Sequence, residues 1–215
     1  VALEQFEAEA LALLDLLGEI VSRHGICQLR LGESEKFAYV TRFFNGGREE
    51  PFPLEERMEI SSPKVKSYDQ KPEMAAFEIG DALMERIQTQ KYGLIITNFA
   101  NGDAVGHTGN VAAAMKAVST VDSVLSKLIP LAYDLGYDCV ITSDHGNVEQ
   151  MIDERTGEPF PDNTLNPVPF CVLSREFRDL RSEGALADIA PTILEMLGLE
   201  KPSCMDGVSL INRKK

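Results

Sequence analysis

The chain has 215 residues, 44% of them hydrophobic and 26% charged, enough for one sizeable core. A formal net charge of -13 argues against nucleic acid or anionic membrane as a general partner. It does not oppose an anionic substrate, because bound metal ions reverse the local sign.

No apolar run approaches the length of a membrane span, and the N-terminus shows no signal peptide. The four cysteines, Cys27, Cys139, Cys171 and Cys204, are scattered and form no C-x-x-C pair, which fits a reducing, cytoplasmic location. Residues 3–23 predict an amphipathic helix, with Leu3, Phe6, Ala10, Leu13, Leu17 and Ile20 on one face and Gly25 as its stop. His24 reads there as a favourable charge in the last turn, not as a ligand. Residues 27–31 alternate like a strand, and residues 36–44 suit a helix or a strand equally. Residues 48–71, with Pro51, Pro53 and Pro63, form a surface excursion that holds a short strand at residues 58–60. Pro72 opens a helix at a first-turn position, with Ala75, Ile79, Ala82, Leu83 and Ile87 facing inward.

Residues 94–96 read as a buried strand. A long helix follows over about 109–135, with Val111, Met115, Val118, Val121, Leu125 and Leu128 on its apolar face and Pro130 expected to kink or break it. Residues 139–141 predict a buried parallel strand, so Cys139 and Cys171 are expected to be buried thiols. After a polar loop over 153–166, residues 168–173 form a strand, and Asp188 caps a last helix with Pro191 in its first turn. Strands alternating with helices predict an α/β fold, a mostly parallel sheet with helices on both faces.

Chemistry concentrates after two of these strands. Asp103 and His107 follow the first, Asp144 and His145 the second, and these are two of only three histidines. Open α/β sheets place their sites at such strand ends. Either pair alone could be an ordinary turn, since Asp and Gly are turn residues. Together, oxygen and imidazole ligands suit Zn, Mn or Fe better than Ca or Mg. Two metals on the order of 4 Å apart would suit phosphoryl chemistry.

An ordered set of motifs then becomes recognisable. It comprises Glu33-Ser34-Glu35-Lys36-Phe37-Ala38-Tyr39-Val40-Thr41 with Asn45-Gly46-Gly47, and Ser62-Pro63-Lys64-Val65 with Tyr68-Asp69. Asn98-Phe99-Ala100-Asn101 with Asp103 and His107, Thr142-Ser143-Asp144-His145-Gly146-Asn147 and Asn166-Pro167-Val168-Pro169 continue it, and residues 186–192 end it. From about residue 20 onward the chain resembles the cofactor-independent phosphoglycerate mutases of the alkaline-phosphatase-like group. The resemblance implies phosphate transfer between the two hydroxyls of glycerate through a phosphoserine, with two manganese ions as cofactors. It implies Asp144 and His145 as ligands of one metal, Asp103 and His107 as ligands of the other, and Lys36 as the lysine that reaches the phosphoryl group. It further implies a small phosphorylated substrate, phosphoglycerate, no nucleic-acid or membrane partner, and a monomer when intact.

Three departures qualify the match. No counterpart of the family's N-terminal segment, with its nucleophilic serine and a further metal aspartate, is found, nor of its substrate-binding domain with its arginines. The family's third histidine ligand falls on Asn163, with Asp162 beside it as the other candidate. Residues 1–215 therefore read as the C-terminal part of the metal-binding domain, inactive alone. The alternatives are another metal-dependent phosphatase or phosphopentomutase-like enzyme, or a non-catalytic degenerate relative.

Overall fold

The computed structural model describes residues 14–176 and 179–212. Its frame is a parallel sheet in the order β2–β1–β3, built from β1 (Gln28–Glu33), β2 (Glu55–Ile60) and β3 (Leu94–Thr97). Arg30 of the central strand pairs with Arg57 on one side and Ile96 on the other. All six residues of β1 are buried, so its alternation separates two interiors and not core from solvent. Leu29 and Leu31 pack with Ile79, Ala82, Leu83 and Tyr92. Gln28 and Arg30 line a polar interior instead: Gln28 Nε2 donates to the Gly18 carbonyl and Arg30 Nη2 to Gln28 Oε1, each at 2.7 Å. Burial pulls the Arg30 guanidinium down to about 10, and the Phe44 ring lies 4.8 Å from it.

Helices cover both faces. On one, α1 (Leu17–Arg23) and a C-terminal helix (Ile189–Met196) bury Leu17, Ile20, Val21 and Leu194 against Leu94 and Ile96. Of the helix expected over 3–23, positions 3–13 lie outside the described residues. Gly25, at φ 73°, ends the rest, and His24 Nδ1 stands 2.9 Å from the Ile20 carbonyl, in keeping with a helix-end role. Residues 36–44 resolve into α2 (Phe37–Val40) followed by turns. The other face is covered by α3 (Ala76–Gln88). Pro72 lies in the turn before α3 and not in its first turn, and its carbonyl accepts from Asn101 Nδ2 at 2.8 Å.

After β3 come α4 (Asn101–Gly106) and α5 (Val111–Asp134), and α5 corrects two expectations. Pro130 sits inside it without breaking it; the residue is exposed, so the carbonyl it frees is solvated. The buried stripe is also not the large apolar one. Ala113, Ala114, Ala117, Thr120 and Val124 face inward, while Val111, Met115 and Val118 are exposed. Close approach to α3 selects the small side chains: a Cβ on Gly80 would stand 2.5 Å from Val124 Cγ1.

Two further corrections follow. β4 (Cys139–Thr142) runs antiparallel to β5 (Phe170–Leu173) in a separate two-stranded sheet, so it is not the buried parallel strand predicted. Cys139 is accordingly half-buried and Cys171 exposed. The α/β architecture is thus mixed parallel and antiparallel. The last helix, α6 (Ile189–Met196), is not capped by the Asp188 side chain. That carboxylate accepts from Ala185 N at 2.9 Å and Val208 N at 2.8 Å, which ties down the C-terminal segment. Among the described residues no helix is long and apolar enough to cross a membrane.

Candidate metal centre

Three strand ends meet at one place. At the end of β1, Glu33 is fully buried; its Oε2 accepts from Ser62 Oγ at 2.9 Å and its Oε1 has no partner among the described residues. Burial raises the Glu33 carboxyl above its ordinary range, even with hydrogen bonds from Ser62 and the Ala75 N–H. Ser62 Oγ in turn accepts from Glu35 N at 3.0 Å. Tyr68 donates to Glu35 at 2.7 Å, a bond that pushes the Tyr68 phenol up to about 12. This network fixes the turn that presents Lys36, whose backbone N–H donates to the Glu33 carbonyl at 2.9 Å. Lys36 Nζ lies 2.5 Å from Asp103 Oδ2 and 4.4 Å from the Tyr39 ring centroid. Burial alone would lower the Lys36 pKa, but the hydrogen bond and charge of Asp103 outweigh it and the net shift is upward.

Asp103 stands in the first turn of α4 and His107 just past its end. The helix is seated on Met74, Ala100, Val105, Ala113 and Ala117. Met74 is almost fully buried and holds a left-handed backbone, φ 45°, where the chain turns toward α3. His107 Nδ1 lies 2.7 Å from the Pro161 carbonyl, which can only accept, so Nδ1 carries the hydrogen. That orients His107 Nε2 toward Asp103 Oδ1, 3.0 Å away. His145, beyond β4, brings Nε2 to 3.8 Å from the same oxygen. Asp144 Oδ2 is 3.7 Å from His145 Nε2, and its side chain is 63% exposed against 18% for Asp103. Lys36 and Asp103 thus form the interior of the cluster, His145 is partly covered, and His107 and Asp144 lie toward solvent.

The donor chemistry fits a cation. Asp103 Oδ1 is buried, with His107 Nε2 3.0 Å and His145 Nε2 3.8 Å away. Mixed oxygen–imidazole donors suit a borderline divalent ion. Among the described residues no three His, Cys, Asp or Glu side chains make a complete metal-binding set. The cluster is short of ligands.

Of the two candidates for a further ligand, Asn163 reaches the cluster: its Nδ2 is 3.5 Å from His145 Nε2. Asp162 is exposed, and none of the hydrogen bonds described for the cluster involves it. Sequence reasoning missed the support beneath. Asn147 is 5% exposed and donates through Nδ2 to Asn163 Oδ1 at 3.0 Å. Glu149 accepts from Asn147 N at 2.6 Å, from Asn166 Nδ2 at 3.0 Å and from Thr164 Oγ1. Burial would raise the Glu149 carboxyl, but these donors hold it below its ordinary range. The traces in the sequence are Gly106 and Gly146. A Cβ on Gly106 would collide with the Asn147 amide, and one on Gly146 with Thr164 and Glu149.

Comparison with known proteins gives the family of the chain. The Metalloenzyme superfamily profile matches residues 9–201. The 2,3-bisphosphoglycerate-independent phosphoglycerate mutase of Anaplasma phagocytophilum is 52% identical over 197 residues, 92% of this chain and 40% of that protein. The Pseudomonas fluorescens protein of the same name is 48% identical over 200 residues, 93% of this chain and 39% of its own. A crystal structure of Leishmania mexicana phosphoglycerate mutase at low cobalt concentration superimposes with a TM-score of 0.84 at 29% identity, covering 92% of this chain and 39% of that one. The chain spans about two fifths of the length of these relatives. It belongs to the Metalloenzyme superfamily and, over most of its length, is homologous to the alkaline-phosphatase-like cofactor-independent phosphoglycerate mutases.

Proposed function

We propose that these residues are the metal-bearing part of a phosphoglycerate mutase that interconverts 3-phosphoglycerate and 2-phosphoglycerate through a phosphoserine in glycolysis. The observation that carries the reading is the convergence of His107 Nε2, at 3.0 Å, and His145 Nε2, at 3.8 Å, on the buried Asp103 Oδ1 at a strand end. Asp103 and His107 would hold one manganese ion, and Asp144 and His145 a second. Bound manganese supplies Lewis-acid charge to phosphoryl oxygens. Lys36 offers an ammonium that Asp103 keeps protonated, and such a cation offsets charge on a transferring phosphoryl group. Asp103 also aims Lys36, and the Pro161 carbonyl holds His107 in the tautomer that faces inward. In this reading the nucleophilic serine, a further aspartate and the substrate arginines belong to the length of the relatives that this chain does not span.

Calorimetric titration with manganese tests the site. The wild-type chain should bind, and Asp103→Asn and His107→Ala should each abolish or strongly weaken binding; identical isotherms would reject the metal assignment. The chain alone should convert 3-phosphoglycerate far more slowly than an ordinary enzyme rate of about 10 per second. Turnover near that rate would reject the division of the catalytic groups.

A further inference from the structure

One segment ties the Lys36 turn to the helix that carries Asp103. Residues 68–75 form a run of tight turns, closed by hydrogen bonds from Lys71 N to the Tyr68 carbonyl, Met74 N to the Lys71 carbonyl and Ala76 N to the Glu73 carbonyl. On one side, Tyr68 donates to Glu35 at 2.7 Å, and the Ala75 N–H supports the buried Glu33 carboxylate. On the other, Asn101 Nδ2 donates to the Pro72 carbonyl at 2.8 Å and Asn110 Nδ2 to Asp69 Oδ2 at 3.3 Å. Glu33 and Glu35 lie just before Lys36, and Asn101 opens α4, two residues before Asp103. Met74, 1% exposed, plugs the space against Ala100, Val105, Ala113 and Ala117.

This arrangement is costly to fold. Met74 holds φ 45°, a conformation that glycine adopts freely and methionine does not. Asn101 is fully buried, and its Oδ1 has no partner among the described residues. Such costs persist where the surroundings over-determine a geometry, and they gather at functional sites. Here the geometry fixed is the meeting of two elements: Lys36 Nζ comes from the turn and Asp103 Oδ2 from the helix, 2.5 Å apart. A lysine is a charge on a flexible stem, and misplacing such a group by about 1 Å costs about 100-fold in rate. We propose that residues 68–75 are a strap that aims the Lys36 ammonium, with Tyr68, Met74 and Asn101 as positioning residues. They act through Glu33, Glu35 and α4. The inference rests on the reading of Lys36 as the cation that faces the phosphoryl group and extends it to what holds that cation in place.

The test reads Lys36 directly. Its Nζ lies 4.4 Å from the Tyr39 ring centroid, so the ring current should displace its ε-methylene signal from that of an exposed lysine such as Lys116. In ¹H–¹³C spectra, Tyr68→Phe, which removes one hydroxyl, should move the Lys36 signal part of the way to the Lys116 position, and Met74→Ala should move it further. Leu83→Ala, in the core under α3, should lower stability in urea and leave the Lys36 signal in place. A wild-type signal without displacement overturns the inference, because Lys36 is then not held. A signal unmoved by Tyr68→Phe also overturns it, even if Met74→Ala fails to fold. So does a signal that Leu83→Ala moves as far, since Lys36 would then follow stability at large. These spectra need neither metal nor phosphoglycerate. A wild type that binds no manganese in calorimetry therefore counts against the metal centre alone, and strap variants that leave Lys36 fixed count against the strap alone.

Discussion

The two halves of the cluster are built on different foundations. Lys36, Asp103 and His107 follow β1 and β3, strands of a sheet covered on both faces, where β1 is wholly buried. Asp144 and His145 follow β4, half of a two-stranded sheet whose residues are half-buried or exposed. The consequence is visible in the carboxylates: Asp103 is 18% exposed and ion-paired with Lys36, whereas Asp144 is 63% exposed. Burial prearranges Lys36 and Asp103, whereas the His107 ring is exposed and held by the Pro161 carbonyl. The second is held chiefly by polar side chains, Asn147, Glu149 and Thr164, which substitute for an apolar floor.

The contrast is broken most severely in the core. Leu31→Ala, at 0% exposure, should cost about 2–5 kcal/mol by urea unfolding. Ile141→Ala in β4 should cost nearer 1 kcal/mol, roughly the average for a point substitution. Equal losses would erase the distinction between the halves. Gly106→Ala tests the seam, because its methyl displaces the Asn147 amide. Overpacking of about 1–3 kcal/mol is expected, with manganese affinity reduced in calorimetry. A variant as stable as wild type would show that Asn147 yields freely.

Ser62→Ala addresses the first half alone. It leaves a buried Glu33 oxygen and the Glu35 N–H without their partner, at a cost of about 1–3 kcal/mol, and Ser62→Thr should recover most of it. No difference between Ala and Thr in urea unfolding would mean that the hydroxyl does not hold the turn.

The smallest effect is a difference of sign with pH. Glu149 has a depressed pKa, so its contribution is present above the unfolded carboxyl value and is lost as pH falls through the folded one. Glu33 has a raised pKa, so it opposes folding once pH climbs from the unfolded value through the folded one. Acidification should therefore speed hydrogen exchange at Asn147 N, after correction for the intrinsic rate, while leaving Glu35 N as protected or more so. Parallel changes at both amides would contradict the assignment.

The sequence made the first half the more legible. The Leu94 run is apolar and the Leu29 strand alternates leucines with Gln28 and Arg30, and Asp103 and His107 are four apart because one helical turn joins them. The Cys139 run is as apolar, yet its strand is antiparallel and half-covered: a short run states hydrophobicity but not its neighbour. In α5 the periodicity was real, and the expected stripe packs inward at Leu128 and Ala132 but not at Val111, Met115 and Val118. The larger side chains marked one face, while Gly80 takes Val124, and Ala113 and Ala117 pack on Met74, Ala100 and Val105. Lys36 could be named from a motif. Its support by Glu33 and Ser62 could not, since residues 29 apart share a hydrogen bond only after β1 and β2 have paired.

The hydrogen bond from His107 Nδ1 to the Pro161 carbonyl crosses between these two worlds, from a packed helix to a polar loop. A ligand whose orientation is set by a loop has an affinity and a lifetime that obey different masters. The imidazole and carboxylate fix how deep the well is. If His107 holds an ion, the loop that carries Pro161 would set how readily the ring turns away from it. Two variants with the same dissociation constant could then release an ion at different speeds, and a substitution at Pro161 would alter the exchange rate before it altered occupancy.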